Sequence, residues 1–229
     1  MKTIVWDFDG TLARREGGWS AACVEAIRDH DPGASVAVED IRPFLGEGFP
    51  WHEPEEPHTE ITTADEWWAQ LEPVLATAIV QQGIDADAVD RIVSDIRRRY
   101  LRHGWSIYDD TTPVLARLSQ EGWTNLVLSN HVPELPSIID RLGLVDHIDD
   151  VFTSATIGFE KPHPSAFEPV LARIDDREDA WMVGDSYEAD VAGAEAVGLS
   201  AILVRGEHEA ATRQCAGLAG VVDLVSGAP

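Results

Sequence analysis

Apolar and polar positions follow two rhythms along this chain. Short unbroken apolar runs, Ile4-Val5-Trp6, Leu126-Val127-Leu128, 180–183 and 201–204, predict buried strands rather than helices. The first strand is expected over 3–7, the second over 123–129, and another short one over 151–154. Helical stretches separate them. One begins at Thr112-Pro113, with proline at an early helical position, and ends near Gly122. Others run over 133–142, from near Pro164, and over 187–197. Strands alternating with helices predict a Rossmann-like α/β fold, a parallel sheet with helices on both faces.

Residues 16–103 break this alternation. A helix over 19–30 stops near Asp31-Pro32-Gly33, and Pro43 weakens a short one over 38–45. Residues 46–61, with Pro50, Pro54 and Pro57, predict an irregular acidic loop. Thr63 and Glu66 form a capping-box pattern. The helix they open has the apolar stripe Trp67, Leu71, Val74, Leu75, Ala78 and Ile79, and Gly83 ends it. A second helix over 87–102 places Val89, Ile92, Val93, Ile96 and Tyr100 on one face. Arg97, Arg98, Arg99 and Arg102 crowd its last turns, where cations complement the helix dipole. The expected organisation is an α/β core of residues 1–15 and 104–229 with an all-helical insertion at 16–103.

Charge narrows the partners. The 229 residues carry a net charge of -24, and Lys2 and Lys161 are the only lysines. Such a surface repels nucleic acid and anionic membranes and suits high salt, where screening weakens self-repulsion. Cys23 and Cys215 lie far apart and suggest neither a disulfide framework nor a zinc site. Met1-Lys2 leads straight into a strand, and no apolar stretch is long enough to span a bilayer. A cytoplasmic protein, monomeric or homodimeric, is the expectation.

The strand ends carry the chemistry. The first strand ends in Asp7-Phe8-Asp9-Gly10-Thr11, the second in Ser129-Asn130, and the strand at 180–183 in Gly184-Asp185-Ser186, with Asp190 following. Lys161-Pro162 lies shortly after the strand at 151–154. In a parallel sheet these carboxyl ends share one edge, where ligands bind. Clustered carboxylates repel unless a cation joins them, and oxygen donors suit magnesium. A lysine, a serine and loop amides beside such an ion describe a phosphate cradle. An ionised aspartate there can attack phosphorus, while a second acid protonates the leaving oxygen and then activates water. Asp7 and Asp9 fit that division. Each element alone is commonplace: Ser129-Asn130 is an ordinary turn sequence and Asp190 a helix-start acid.

Together the motifs resemble the haloacid dehalogenase superfamily. Asp7-Phe8-Asp9-Gly10-Thr11-Leu12, Leu128-Ser129-Asn130, Lys161 before Pro162, and Gly184-Asp185-Ser186 with Asp190 occur in family order. The insertion between the first two resembles the family's helical cap. The resemblance implies a phosphatase with Asp7 as nucleophile and magnesium ligand. Asp9 would be general acid/base and give its carbonyl to the metal. Ser129 and the amides of Phe8 and Asn130 would bind the phosphoryl group, and Lys161 would pair with nucleophile and phosphate. Asp185 would hold the metal, and Asp190 would orient a metal-bound water or Lys161. Dehalogenases of the family lack an acid at the position of Asp9.

The implied substrate is a small phosphorylated metabolite covered by the cap. Trp51, His52 and the pair Trp67-Trp68 are candidate cap contacts, and His131 a candidate neighbour of the substrate. A phosphomutase using the same aspartyl-phosphate and a non-catalytic phosphate-binding regulatory protein are the alternatives.

Overall fold

A computed structural model describes residues 2–227. The chain opens with β1 (Thr3–Trp6), all four side chains buried. It turns at Gly10, φ +90°, a left-handed conformation that glycine adopts without strain, into β2 (Ala13–Arg15). Helices α1 (Gly18–His30), α2 (Val38–Ile41), α3 (Ala64–Val80) and α4 (Ala86–Arg102) follow. Strand β3 (Trp105–Ile107) then pairs antiparallel with β2, Ala13 opposite Ile107 and Arg15 opposite Trp105. This two-stranded ribbon carries the chain out to the helical insertion and back.

The remainder alternates: α5 (Thr111–Gln120), β4 (Thr124–Ser129), α6 (Leu135–Arg141), β5 (Asp150–Thr153), α7 (Ser154–Ile157), α8 (Pro164–Leu171) and β6 (Ala180–Gly184). A π-helical turn over Tyr187–Ala192 runs into α9 (Gly193–Ala196), followed by β7 (Ser200–Val204), β8 (Gln214–Cys215) and α10 (Leu218–Val225). The sheet order is β5-β4-β1-β6-β7-β8, with every pair parallel. Trp6 lies beside Val127 on one side and Val183 on the other. The acidic end of β1 therefore sits at the centre of the sheet edge, between the ends of β4 and β6.

Strand alternation splits the core into two layers. Ile4, Trp6, Val127, Val183 and Ile202 join one apolar cluster with α5 and α6. Val5, Leu126, Leu128, Met182 and Leu203 join another with Phe167 and Val170 of α8. The expected stripes of the insertion are packed inward: Trp67, Leu71, Leu75, Ala78 and Ile79 of α3, and Val89, Ile92, Val93, Ile96 and Tyr100 of α4, are buried and continue the cluster of Ile4 and Trp6. The capping box forms: Thr63 Oγ1 accepts from Glu66 N at 3.2 Å, and Glu66 accepts from Thr63 N at 3.0 Å.

Three of the arginines near the end of α4 are held by acids. Arg97 bridges Asp65 and Glu134, while Arg98 and Arg99 pair with Asp95 and Arg99 also with Asp29.

Several expectations need correction. Strand β1 stops at Trp6, although Asp7 N still bonds Val183 O at 2.8 Å. The helix expected over 38–45 ends at Ile41. Pro43, with its fixed φ and missing N–H, lies in a separate 3-10 turn over Arg42–Phe44. The helix expected over 187–197 is π-helical for its first six residues. Strands β2, β3 and β8 and helices α7 and α10 have no counterpart in the expected elements. No helix of the described residues is long and apolar enough to cross a membrane.

Candidate active site

Asp7, just beyond β1, is the centre of a buried hydrogen-bond network. Its Oδ1 accepts from Ser129 Oγ and from Lys161 Nζ, each at 2.9 Å. The Lys161 ammonium also donates to Leu128 O at 2.9 Å and to Asp190 Oδ1 at 2.5 Å. All three of its protons are thereby directed. Asn130 fixes the lysine from behind. Its side-chain amide donates to Lys161 O at 2.8 Å and its carbonyl accepts from Lys161 N at 2.7 Å. Burial works against the ammonium, but Asp190 and Asp7 outweigh it and raise the lysine pKa above the usual value.

Asp185 follows β6 directly, and Asp190 lies in the π-helical turn after it. Asp185 Oδ1 accepts from Thr11 Oγ1 at 3.2 Å, and Asp190 Oδ2 accepts from Ser186 N at 3.0 Å. Carboxylate oxygens of Asp7, Asp185 and Asp190 lie within 4.8 Å of one another. Two glycines permit this closeness. A Cβ on Gly10 would stand 2.2 Å from Asp185 Oδ2, and one on Gly184 would stand 2.1 Å from Asp190 Oδ2.

Asp9 and Asp185 are exposed residues that line the cleft. Desolvation, then the charge of Asp7, pushes both up to about 7. For Asp9 the charge of Asp185 adds to this and Arg15 opposes it. The oxygen triad is a hard, all-carboxylate donor set whose like charges strain it, and it fits a divalent cation such as magnesium.

Above these groups lies a cavity of about 540 Å³. Asp7, Asp9, Ser129, Lys161, Asp185 and Asp190 line it, with Trp19, Trp51, Pro54, Tyr100 and His131 among its other lining residues. Of the candidate cap contacts, only Trp51 reaches the cavity. His52 accepts from Phe49 N at 3.3 Å through Nδ1. Trp67 is fully buried in the insertion core, and Trp68 donates to Glu134 at 3.1 Å. His131 is buried and borders the cavity; burial pulls its imidazole down to about 4, against the charge of Asp7.

The acidic loop of the insertion docks beside Lys161. His58 N donates to Gly158 O at 2.9 Å, and His58 Nε2 meets Glu160 Oε1 at 3.1 Å, both residues being buried. Gly158 has φ +85°, and a Cβ there would stand 2.8 Å from Thr59 Cα.

Of the sequence-derived residues, the structure brings Asp7, Asp9, Ser129, Asn130, Lys161, Asp185 and Asp190 to one cavity. Phe8 turns its side chain into the core, edge-on to His131 at 5.6 Å. Thr11, Trp19, Tyr100 and Ser186 were not among the candidates. Tyr100 is legible only as one position of an apolar stripe, and Trp19 only as the start of a helix.

A central β1 with its acid pair at a switch in strand order, flanked by a serine, a lysine and an acidic loop, defines a hydrolase of the haloacid dehalogenase type. The family model for haloacid dehalogenase-like hydrolases matches residues 1–198, and the chain belongs to that family. It is 29% identical over 212 residues to human haloacid dehalogenase-like hydrolase domain-containing protein 3, covering 90% of this chain and 82% of that protein. It is 41% identical over 100 residues to the ribulose-1,5-bisphosphate 5-phosphatase of Halopiger xanaduensis, covering 43% of this chain and 42% of that one. Among solved structures it resembles YfnB of Bacillus subtilis, a magnesium-bound HAD-hydrolase by description. The TM-score is 0.75 at 21% identity, over 98% of both chains.

Proposed function

We propose that this protein is a magnesium-dependent phosphatase that hydrolyses a small organic phosphate monoester through an aspartyl-phosphate on Asp7. The observation that carries the reading is the double hydrogen bond at Asp7 Oδ1. Ser129 and Lys161 hold the carboxylate in one orientation and leave its second oxygen outside those bonds. In this reading the carboxylate attacks phosphorus and the ester oxygen leaves with a proton from Asp9, which desolvation and its acidic neighbours raise to about 7. Asp9 then takes a proton from water attacking the acyl phosphate. Ser129, with the amides of Phe8 and Asn130, positions the phosphoryl oxygens, and Lys161 offsets their charge.

Asp7 and Asp185 would hold magnesium, with the Asp9 carbonyl. Asp190, both of whose oxygens are engaged, would act chiefly on Lys161. Magnesium would supply charge neutralisation at the phosphoryl group. Residues 16–103 serve as a cap that narrows the cavity to small substrates, and the net charge of -24 suits the chain to high ionic strength.

The test is phosphate release from a panel of monoesters, with magnesium or with a chelator, in about 0.1 M and about 1 M salt, where the Debye length falls from about 10 to about 3 Å. Release that needs magnesium and persists or rises in high salt is expected. Isomer formation without release would favour a phosphomutase, and no turnover of any ester would end the reading.

Metal binding has a pH signature. Asp9 and Asp185 titrate near 7 when folded, against 3.8 for a free side chain. Groups with raised folded pKa values support the fold at low pH and cease to do so as pH rises through about 7. Metal-free protein therefore loses stability between pH 5 and pH 8, and magnesium restores it. A hundredfold excess over Kd adds about 2.7 kcal/mol, and about 1 kcal/mol moves Tm by about 2–4 °C at this size. Thermal melts are expected to show a magnesium shift of several degrees at pH 8 and little at pH 5. An equal shift at both would contradict this assignment.

A further inference from the structure

The upper half of the cavity differs chemically from its floor. Among the described residues, the charged ones lining the cavity are Asp7, Asp9, Lys161, Asp185, Glu188 and Asp190, and Lys161 is the only cation of these. All three of its donors are already engaged by Asp7, Asp190 and Leu128 O. A phosphoryl group bound at Asp7 would use the positive charge available there. A second phosphate or a carboxylate elsewhere on the substrate would find no cation and would face acids, Glu188 included.

Opposite stands an aromatic wall. Trp19 stacks on Tyr100 with ring centres 3.8 Å apart, and Trp51 stacks on Phe49 at 4.7 Å. Trp19 and Trp51 are half-buried and line the cavity with their remaining surface. His131 completes the wall. Its ring lies among Phe8, Tyr100 and Trp105 with centres 5.6, 6.0 and 5.3 Å away. Among the described residues, neither of its ring nitrogens has a partner in hydrogen-bonding geometry, although the residue is only 2% exposed. A buried polar ring without a partner is costly, and such groups in native structures point to a role. A neutral imidazole offers one donor and one acceptor, and the His131 ring borders the cavity.

We propose that the substrate's alcohol portion is a planar, uncharged, hydrogen-bonding ring system that stacks against Trp51 and Trp19 and is read by His131. Such a substrate is of the chemical class of a nucleoside monophosphate. The cavity selects against bisphosphates and phosphorylated carboxylic acids. The cavity volume of about 540 Å³ lies within the range of small-molecule sites, about 300–1,000 Å³. The proposal rests on the phosphatase reading and narrows it.

The experiment compares uridine 5′-monophosphate, phenyl phosphate, phosphoglycolate and ribulose 1,5-bisphosphate by kcat and KM with magnesium. In parallel, the same four ligands are titrated against the tryptophan fluorescence of the Asp7→Asn protein. The nucleotide is expected to have a KM and a Kd at least about tenfold below those of the two doubly anionic esters. Phenyl phosphate should lie between, because it has the ring but no partner for His131.

Trp51→Ala and His131→Ala should each raise the nucleotide KM about tenfold or more, the scale of one lost base–aromatic stack, with kcat changed much less. Because Trp51 is half-buried, its variant tests the ring contact even where the His131 variant does not fold. Better turnover of phosphoglycolate or the bisphosphate than of the ring esters would overturn the proposal and leave the phosphatase reading intact. So would variants that keep the full preference. Failure to hydrolyse any of the four would defeat the phosphatase reading, and the fluorescence titration would then decide: preferential nucleotide binding supports the proposal, and equal or weaker binding overturns it.

Discussion

Asp7→Asn is expected to lower phosphate release by about three orders of magnitude or more, as loss of a nucleophile does elsewhere. The amide has the shape of the carboxylate and keeps an oxygen to accept from Ser129 Oγ and Lys161 Nζ, which now meet at Oδ1. Geometry is preserved while nucleophilicity is removed. The substitution also deletes the charge that raises Asp9 and Asp185. Their pKa values should therefore fall, so a lost proton donor adds to the lost nucleophile. Circular dichroism should be unchanged, and a magnesium-dependent phosphoenzyme, trapped by rapid acid quench in the parent, should be absent from the variant. A variant that keeps a tenth of parental activity would remove Asp7 from its role.

Lys161→Met is expected to harm the fold as well as the reaction. The ammonium pairs with Asp7 and Asp190, whose side chains are 9% and 2% exposed. Removing one partner of a buried ion pair costs about 3–5 kcal/mol, because the remaining charge has no water to replace it. At this chain length that is a Tm loss of about 10 °C. The cost has a pH sign. Without the cation, the buried Asp190 carboxyl is held by the fold in protonated form to higher pH than before. The deficit is therefore small where it is protonated and grows as pH rises through its new folded value. Melts at pH 4.5 and pH 8 should show the variant much closer to parent at the lower pH. Equal stability at pH 8 would mean that magnesium or water already compensates the acids without the lysine.

The central strands and their catalytic ends were readable because each rests on a local signal. Runs such as Ile4-Val5-Trp6 and Leu126-Val127-Leu128 are apolar at every position, as strands covered on both faces must be. Polar residues follow at once, Asp7 after the first run and Ser129-Asn130 after the second. Strands β2 and β3 carry no such signal, being three residues each and mixed in character. Their buried–exposed–buried alternation in β2 has meaning only once the partner is in place. The π-helical turn carries Asp190, which reaches Lys161 29 residues away and packs against the missing Cβ of Gly184, and local periodicity encodes neither contact. An apolar stripe separates core from solvent but not core from cavity, so Tyr100 resembled its neighbours in α4. Asn130 was expected to contribute its backbone amide to phosphate binding, and the bidentate grip of its side chain on Lys161 is a long-range contact the motif does not encode.

The sheet order has a consequence for how the molecule comes into being. Ser129 and Asp7 are 122 positions apart, Lys161 and Asp7 154, and Thr11 and Asp185 174. β1 emerges first from the ribosome, yet both of its neighbours, β4 and β6, are synthesised much later. The helices of residues 18–102 can collapse on short-range contacts while Ile4-Val5-Trp6 still waits for its flanking strands. Contacts that close such long loops form slowly, and an unpaired apolar strand is prone to aggregation in the interval. Truncation after β4 would leave one edge of β1 open, so catalytic assembly and protection of the first strand are completed by the same late event, the arrival of β6.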